Sequence, residues 1–299
     1  MSPIAVLFAG VALTSTAPLL VKLALGEASP VVIAMLRMVI TAALVTPFAW
    51  AVQGQHFRRY DRRRVLLTVA AGLLLALSFV LWMSSMAMTS VASSVVLGTT
   101  MPLWVALAGP FFTKDKVGTT ALVGVAVAIG GAAILAAGDA GLGMGTLAGN
   151  GLALLSAMTN AGHRLLGRVL REDLPLLAFI GVLYPGAAAA LLLTGWASGQ
   201  QVTGLSEATY GWILLLALGP QIIGHSIYNW ALGKLTAVTV TSGIMVEPVF
   251  SILWAALLLA DTPTVTQVAG GLVVLAGVYV TQRAQAQPQP ESVPGAAPG

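Results

Sequence analysis

The chain has 299 residues, of which 58% are hydrophobic and only 8% charged, with a formal net charge of +4. Soluble domains carry roughly 25% charged residues, so this chain cannot cover a water-facing surface and reads as a multi-span membrane protein. The small positive charge belongs to loops, no basic stripe interleaves with aromatics as single-strand binding needs, and the absence of cysteine excludes disulfides, thiolate metal sites and cysteine nucleophiles.

In chain order, breakers and polar clusters cut out ten apolar segments. They run Ile4–Leu25, Ser29–Val52, Val65–Met88, Val91–Thr113, Val117–Ala137, Leu147–Leu170, Leu174–Trp196, Tyr210–Gly233, Thr236–Leu259 and Thr264–Gln282. A bilayer needs about 20 apolar residues per helix, and each run is near that length. Met1-Ser2-Pro3 lacks the positive region of a signal peptide, so the first run reads as a spanning helix. Residues 284–299 are Ala, Gln, Pro and Gly with one acid, Glu291, and are expected to be disordered in the cytoplasm.

Lysine and arginine set the orientation. With the N-terminus in the cytoplasm, the cytoplasmic segments hold Arg58, Arg59, Arg62, Arg63, Arg64, Lys114, Lys116, Arg168, Arg171, Lys234 and Arg283. The outer loops hold only acids: Glu27, Asp139, Glu207 and Asp261. An even helix count returns the C-terminus to the cytoplasm.

Two stretches match when one is slid along the other. Pro102 falls on Pro248, Asp115 on Asp261 and Gly124 on Gly270, each 146 residues apart. The basic loop Lys114-Asp115-Lys116 matches the acidic Ala260-Asp261-Thr262. Five helices per half is odd, so the second half is expected to be inverted. The fold expected is all-α integral membrane: ten transmembrane helices as two inverted five-helix repeats, residues 1–137 and 138–283. A weaker match at an offset of 141 places Gly10, Ala12, Leu13 and Ser15 on Gly151, Ala153, Leu154 and Ser156.

Ten helices in two halves, Glu247-Pro248-Val249 in the ninth segment, Leu36-Arg37 in the second and Gly270-Gly271-Leu272-Val273 in the tenth resemble the EamA family of the drug/metabolite transporter superfamily. The resemblance covers about residues 4–282. Bacterial amino acid exporters of the YddG type look most similar. It implies export of small metabolites across the bacterial inner membrane.

Polar residues at membrane depth default to functional hypotheses. Glu247 lies about 16 Å into the ninth helix at 1.5 Å per residue. Pro248 removes a backbone donor there. Glu247 can bind a substrate amine, carry a proton, or pair with a cation; its mate is Met101. Arg37 can hold a substrate carboxylate or balance the charge of Glu247, and is taken as charge-balancing, with Pro102 and Pro248 structural. Lys22 and Arg164 are expected to snorkel.

His225, Tyr228 and Asn229 share one face of the eighth helix, and the 146 shift puts Phe79 under His225 and Trp82 under Tyr228. These aromatics line a cavity in one reading and pack, or form an interfacial belt, in the other. Asn160 and His163 share a face of the sixth helix, with His163 a packing residue or a proton carrier. Ser15, Thr99 and Thr100 are near mid-depth, where hydroxyls also bond back to their own helix. Tyr184-Pro185 marks a kink and a cavity wall. Gly124, Gly130, Gly131, Gly270, Gly271 and Gly277 form small-residue faces on the fifth and tenth helices, read as supporting or homodimer-forming.

No Walker lysine loop, HExxH, paired metal-spaced histidines or credible Ser-His-Asp set occurs. No enzyme activity, cofactor or metal is expected. Gly141–Gly145 reads as a flexible outer loop. The leading function is a secondary exporter of amino acids, aromatic and other neutral ones, by alternating access. Export of lipophilic cations, with aromatics and Glu247 as the site, is the alternative. A membrane enzyme or scaffold ranks below, because the loop acids are single and scattered.

Overall fold

The computed structural model describes residues 2–58, 60–112, 118–141, 143–232, 234–235, 240 and 243–286. Every regular element among them is helical: α1 (Pro3–Thr14), α2 (Ala17–Ala24), α3 (Pro30–Phe57), α4 (Arg62–Met88), α5 (Val91–Gly98), α6 (Met101–Phe112), α7 (Thr119–Ala140), α8 (Met144–Leu170), α9 (Leu176–Ala197), α10 (Glu207–Leu216), a π-helical stretch (Ala217–Gly224), α11 (His225–Leu232), α12 (Glu247–Leu259) and α13 (Val265–Ala286). Eight helical stretches of the described residues are long and apolar enough to cross a bilayer. Three of them, Pro3–Ala24, Val91–Phe111 and Glu207–Tyr228, are composite. The 27-residue α8 is not among the eight, because Asn150, Asn160, His163 and Arg164 dilute it. The apolar α12 has 13 residues. The Lys114–Lys116 loop and Thr236–Thr239 lie outside the described residues; of the tail expected to be disordered, residues 284–286 instead continue α13, and the rest from Gln287 lies outside the described residues.

Helix starts follow side-chain caps. The Ser29 hydroxyl accepts from Val32 N at 3.3 Å, the Asp61 carboxylate from Arg64 N at 2.7 Å and the Ser90 hydroxyl from Ser93 N at 3.1 Å. Two apolar runs expected to be continuous are broken. The first turns at Ser15–Thr16, the fourth at Thr99–Thr100. The cause is proline just downstream: Pro18 and Pro102 offer no N–H to the carbonyls of Thr14 and Gly98. A third turn at Met245–Val246 precedes Glu247-Pro248. The Gly141–Gly145 loop is shorter than expected, since α8 begins at Met144 after Gly143 at φ 107°.

The helices pack α3 on α9, α4 on α8 and α9, α7 on α13, α2 on α10 and α1 on α11. Apolar side chains cover the outside; Leu66 is 70% and Leu257 73% exposed, as suits lipid. Between α7 and α13 the backbones touch. A Cβ on Gly131 would lie 2.8 Å from Gly270 O, and one on Gly277 would lie 2.5 Å from Gly124 O. Residue numbers rise along one helix as they fall along the other, so the pair is antiparallel. The glycine faces are thus turned to each other within one chain, the close approach that small residues permit in a membrane.

A polar knot ties the end of the bundle that carries Glu27. Asp139 was placed in a loop by sequence; instead it is in the last turn of α7 and fully buried. Its carboxylate accepts from Ser93 Oγ at 2.7 Å, Asn150 Nδ2 at 2.6 Å and Gln267 Nε2 at 2.8 Å. Those donors come from α5, α8 and α13, and their bonds offset the cost of burying the carboxylate. Beside it, Lys22 Nζ donates to Thr89 O at 3.0 Å. That bond takes one of the donors of the ammonium. At the opposite end, Arg64 meets Asp173 at 2.7 Å, and the Tyr60 hydroxyl donates to Ala178 O at 3.2 Å.

Candidate functional site

The three helix breaks surround a cluster of polar groups inside the bundle. Glu247 opens α12, so its carboxylate sits at the positive end of that half-helix. The Tyr228 hydroxyl donates to Glu247 Oε2 at 2.9 Å and is itself hydrogen-bonded to the Thr14 hydroxyl. Thr14 stands on the last turn of α1, beside the break. The indole N–H of Trp254 donates to Ser15 Oγ at 3.0 Å, and Ser251 Oγ to Ser15 O at 3.1 Å. These bonds satisfy backbone and hydroxyl groups that the break exposes.

Arg37, on α3, is 4% exposed. Its Nη2 donates to Gln221 Oε1, and its guanidinium lies 4.4 Å over the Phe79 ring. Among the described residues, Nε and Nη1 have no hydrogen-bond partner. The expected charge balance with Glu247 is not what the geometry gives: the carboxylate is taken up with Tyr228, and no ion pair joins it to Arg37 among the described residues. Gln221 is held in the π-helical stretch, whose Pro220 interrupts the regular ladder. A π-turn turns side chains to new directions and is common at functional sites. Gln221 also reaches the Tyr184 hydroxyl of α9.

Arg164 does not snorkel. It is within electrostatic range of Glu247 and Tyr184, and its Nε donates to Asn160 Oδ1 at 3.1 Å. His225 lies within range of both Arg164 and Arg37, with its ring 6.0 Å from that of Tyr228. Arg164 and His225 are encircled by protein yet keep exposed surface, which marks a hollow beside them. A cleft of about 400 Å³ touches Met101, Pro102, Val105, Arg164, Arg168 and Gln285. It runs from the Tyr60 end of α8 and α13 to the break at Met101. A second cleft of about 310 Å³ between α6 and α8 has an apolar lining of Trp104, Leu107, Phe111 and Met158 among others.

The residues singled out in the sequence therefore divide. Glu247, Tyr228, His225, Tyr184, Phe79 and Arg37 are drawn into one neighbourhood, with Asn160 attached through Arg164. Trp82 lies against the break, its Nε1 3.8 Å from where a Cβ on Gly98 would be. Thr99 and Thr100 bond back to Val96 O and Leu97 O, both at 2.6 Å, and Ser15 to Ala12 O at 2.8 Å. His163 stacks on Phe179 of α9 at 6.5 Å, and among the described residues its buried Nδ1 has no hydrogen-bond partner. Asn229 is on α11, with its side chain outside the description. Sequence reasoning missed Thr14, Gln221 and the inward turn of Arg164. A glutamine beside Pro220 in an apolar run was the signal for Gln221.

Broken helices around a polar centre in an apolar bundle define a multi-span membrane protein of the transporter class. The EamA-like transporter family model matches residues 1–137 and again residues 147–283. The chain belongs to the EamA-like transporter family. An uncharacterized transporter, YxxF, of Bacillus subtilis (strain 168) is 24% identical over 245 residues, covering 80% of this chain and 77% of the relative. A crystal structure aligns with a TM-score of 0.64 and 19% identity, over 95% of this chain and 98% of its own; that likeness concerns the fold alone.

Proposed function

We infer that this transporter exports amino acids, aromatic and other neutral ones, and related small metabolites across the bacterial inner membrane by alternating access between two inverted halves. The observation that carries the reading is the polar hollow at the helix breaks. It offers a carboxylate, two guanidinium groups, an amide and several aromatic faces, which suit a zwitterion with a varied side chain. Two guanidinium groups in one hollow disfavour lipophilic cations.

The inverted repeat is supported from several sides. The two family matches begin 146 residues apart (147 against 1). Thr99–Thr100 and Met245–Val246 break equivalent helices at that same offset. Gly124 touches Gly277 and Gly131 touches Gly270; exchanging each residue for its mate 146 positions away turns one contact into the other. Ten crossings follow when α8, whose polar face looks inward, and the helix ending in α12 are added to the eight apolar stretches. The positive-inside rule then puts Arg58, Arg62, Arg63, Arg64 and both termini in the cytoplasm. A homodimer through α7 and α13 would use their outward faces, such as Ile129 and Leu272, because the glycine faces are occupied.

Purified protein in liposomes should exchange labelled phenylalanine for internal phenylalanine without ATP. Trp82→Ala and Tyr228→Ala should shift the ranking of amino acid substrates, and Glu247→Gln should weaken exchange of phenylalanine while the protein stays monodisperse. No exchange across a full panel of amino acids overturns the reading.

A further inference from the structure

Arg37 combines three features that are costly together in a membrane interior. It is almost wholly buried, it carries a full charge, and no carboxylate among the described residues pairs with it. Arginine has five N–H donors in a planar fork. Here one nitrogen, Nη2, serves Gln221, while Nε and Nη1 are left over. A buried donor without an acceptor costs about as much as a lost hydrogen bond, and more when charged. Phe79 covers one face of the guanidinium at 4.4 Å, which helps hold its plane but supplies no acceptor. Tyr184 and His225 stand within its electrostatic range, and neither brings a full negative charge at neutral pH.

Glu247, the one acid of the hollow among the described residues, is occupied by Tyr228 and has Arg164 as its charged neighbour. The cluster is thus lopsided: Glu247 is answered by Arg164, whereas Arg37 is unanswered. Removing an acceptor from a buried charged group normally destabilises a fold strongly, so a group of this kind persists where something visits it. The missing partner is a planar oxyanion, which matches the guanidinium fork in two parallel hydrogen bonds.

We propose that Arg37, positioned by Gln221 and Phe79, is the oxyanion anchor of the transported solute, so that every good substrate bears a carboxylate or a similar oxyanion and the amine is dispensable. This rests on the hollow being the solute site. It assigns a polarity to that site: the oxyanion faces α3 and the π-helical stretch, and the amine, where present, faces Glu247.

The test uses two matched sets: L-phenylalanine, 3-phenylpropionate and phenethylamine; and L-leucine, 4-methylpentanoate and isoamylamine. Ligand-induced thermal stabilisation is measured on the full-length protein in detergent, and competition against labelled phenylalanine in liposomes. The amino acids and the simple carboxylates should stabilise the wild type and compete; the amines should do neither. Arg37→Met should remove the response to carboxylates. Arg37→Lys, which keeps the charge and loses the fork, should weaken it by roughly tenfold, and serves if Arg37→Met fails to fold. Stabilisation by the amines alone, an unchanged carboxylate response in Arg37→Met, an unchanged response in Arg37→Lys where Arg37→Met does not fold, or no response to any carboxylate overturns the proposal. Carboxylates that bind while no amino acid is exchanged leave the anchor standing and remove the amino acid reading.

Discussion

Replacing Asp139 with alanine should be among the most destabilising single changes outside the hollow. The carboxylate is fully buried, as is Ser93, and Asn150 and Gln267 are 4% and 3% exposed. Water cannot fill in for it. Alanine strands three donors at once: Ser93 Oγ, Asn150 Nδ2 and Gln267 Nε2, which lie 2.6–2.8 Å from the carboxylate oxygens. Hydrogen bonds to charged groups contribute about 1.5–3 kcal/mol each, but they are not additive. Gln267 keeps fallback contacts to Ser90 Oγ at 3.1 Å and Ser93 Oγ at 3.2 Å. Relief from burying the carboxylate offsets more of the loss. A net cost of about 3–5 kcal/mol is expected, the range seen when one partner of a buried charged cluster is deleted. Asp139→Asn preserves the shape and one acceptor, so about 1–2 kcal/mol is expected. The assay is unfolding by sodium dodecyl sulfate in mixed micelles, followed by circular dichroism. Adding Ser93→Ala in a double-mutant cycle isolates the 2.7 Å bond. A loss below about 0.5 kcal/mol for Asp139→Ala, or strict additivity with Ser93→Ala, refutes the picture of one coupled knot.

Two further outcomes follow from local geometry. Gly277→Ala puts a Cβ 2.4 Å from Ala128 N and 2.5 Å from Gly124 O, backbone atoms that cannot step aside, whereas Gly130 has nothing within 4 Å; thermal unfolding should show a loss of about 1–3 kcal/mol for the first and none for Gly130→Ala, and equal losses would refute the close helix pair. Glu27 accepts from Ser206 N at 2.8 Å and Thr209 Oγ1 at 3.0 Å, and the Ser206 backbone N–H, chiefly, holds its pKa below the usual carboxylate value. A depressed folded pKa contributes stability above the ordinary value of about 4.3, lost as pH falls through the folded value. The melting-temperature advantage over Glu27→Gln should therefore shrink below that pH; an advantage independent of pH would refute the assignment.

The all-helical, membrane-spanning class was legible because lipid imposes a coarse code of long apolar runs. The site was legible where a rule for single residues applied. Glu247 next to Pro248 announces a carboxylate at a weakened helix, and Tyr228, three residues from His225, announces a shared face. Pairing was not legible. Arg37 and Glu247 are opposite charges at similar depth, and only packing shows that Arg37 goes to Gln221 while Glu247 goes to Tyr228. Lys22 and Arg164 look alike as basic residues near helix ends, yet one donates to Thr89 O and the other turns into the hollow. Asp139 stands just before the glycine-rich stretch Gly141–Gly145, which reads as a loop, and its donors lie 11 to 128 positions away.

By itself the sequence determined that the chain lives in a membrane, roughly which stretches are apolar spans, and which residues are too polar to face lipid. Those properties follow from each residue's own transfer cost and from local backbone chemistry. The tertiary structure alone decided which polar groups satisfy one another, because that depends on which helix faces meet. The antiparallel contact of α7 with α13, the knot at Asp139 and the unanswered guanidinium of Arg37 are all decisions of that second kind.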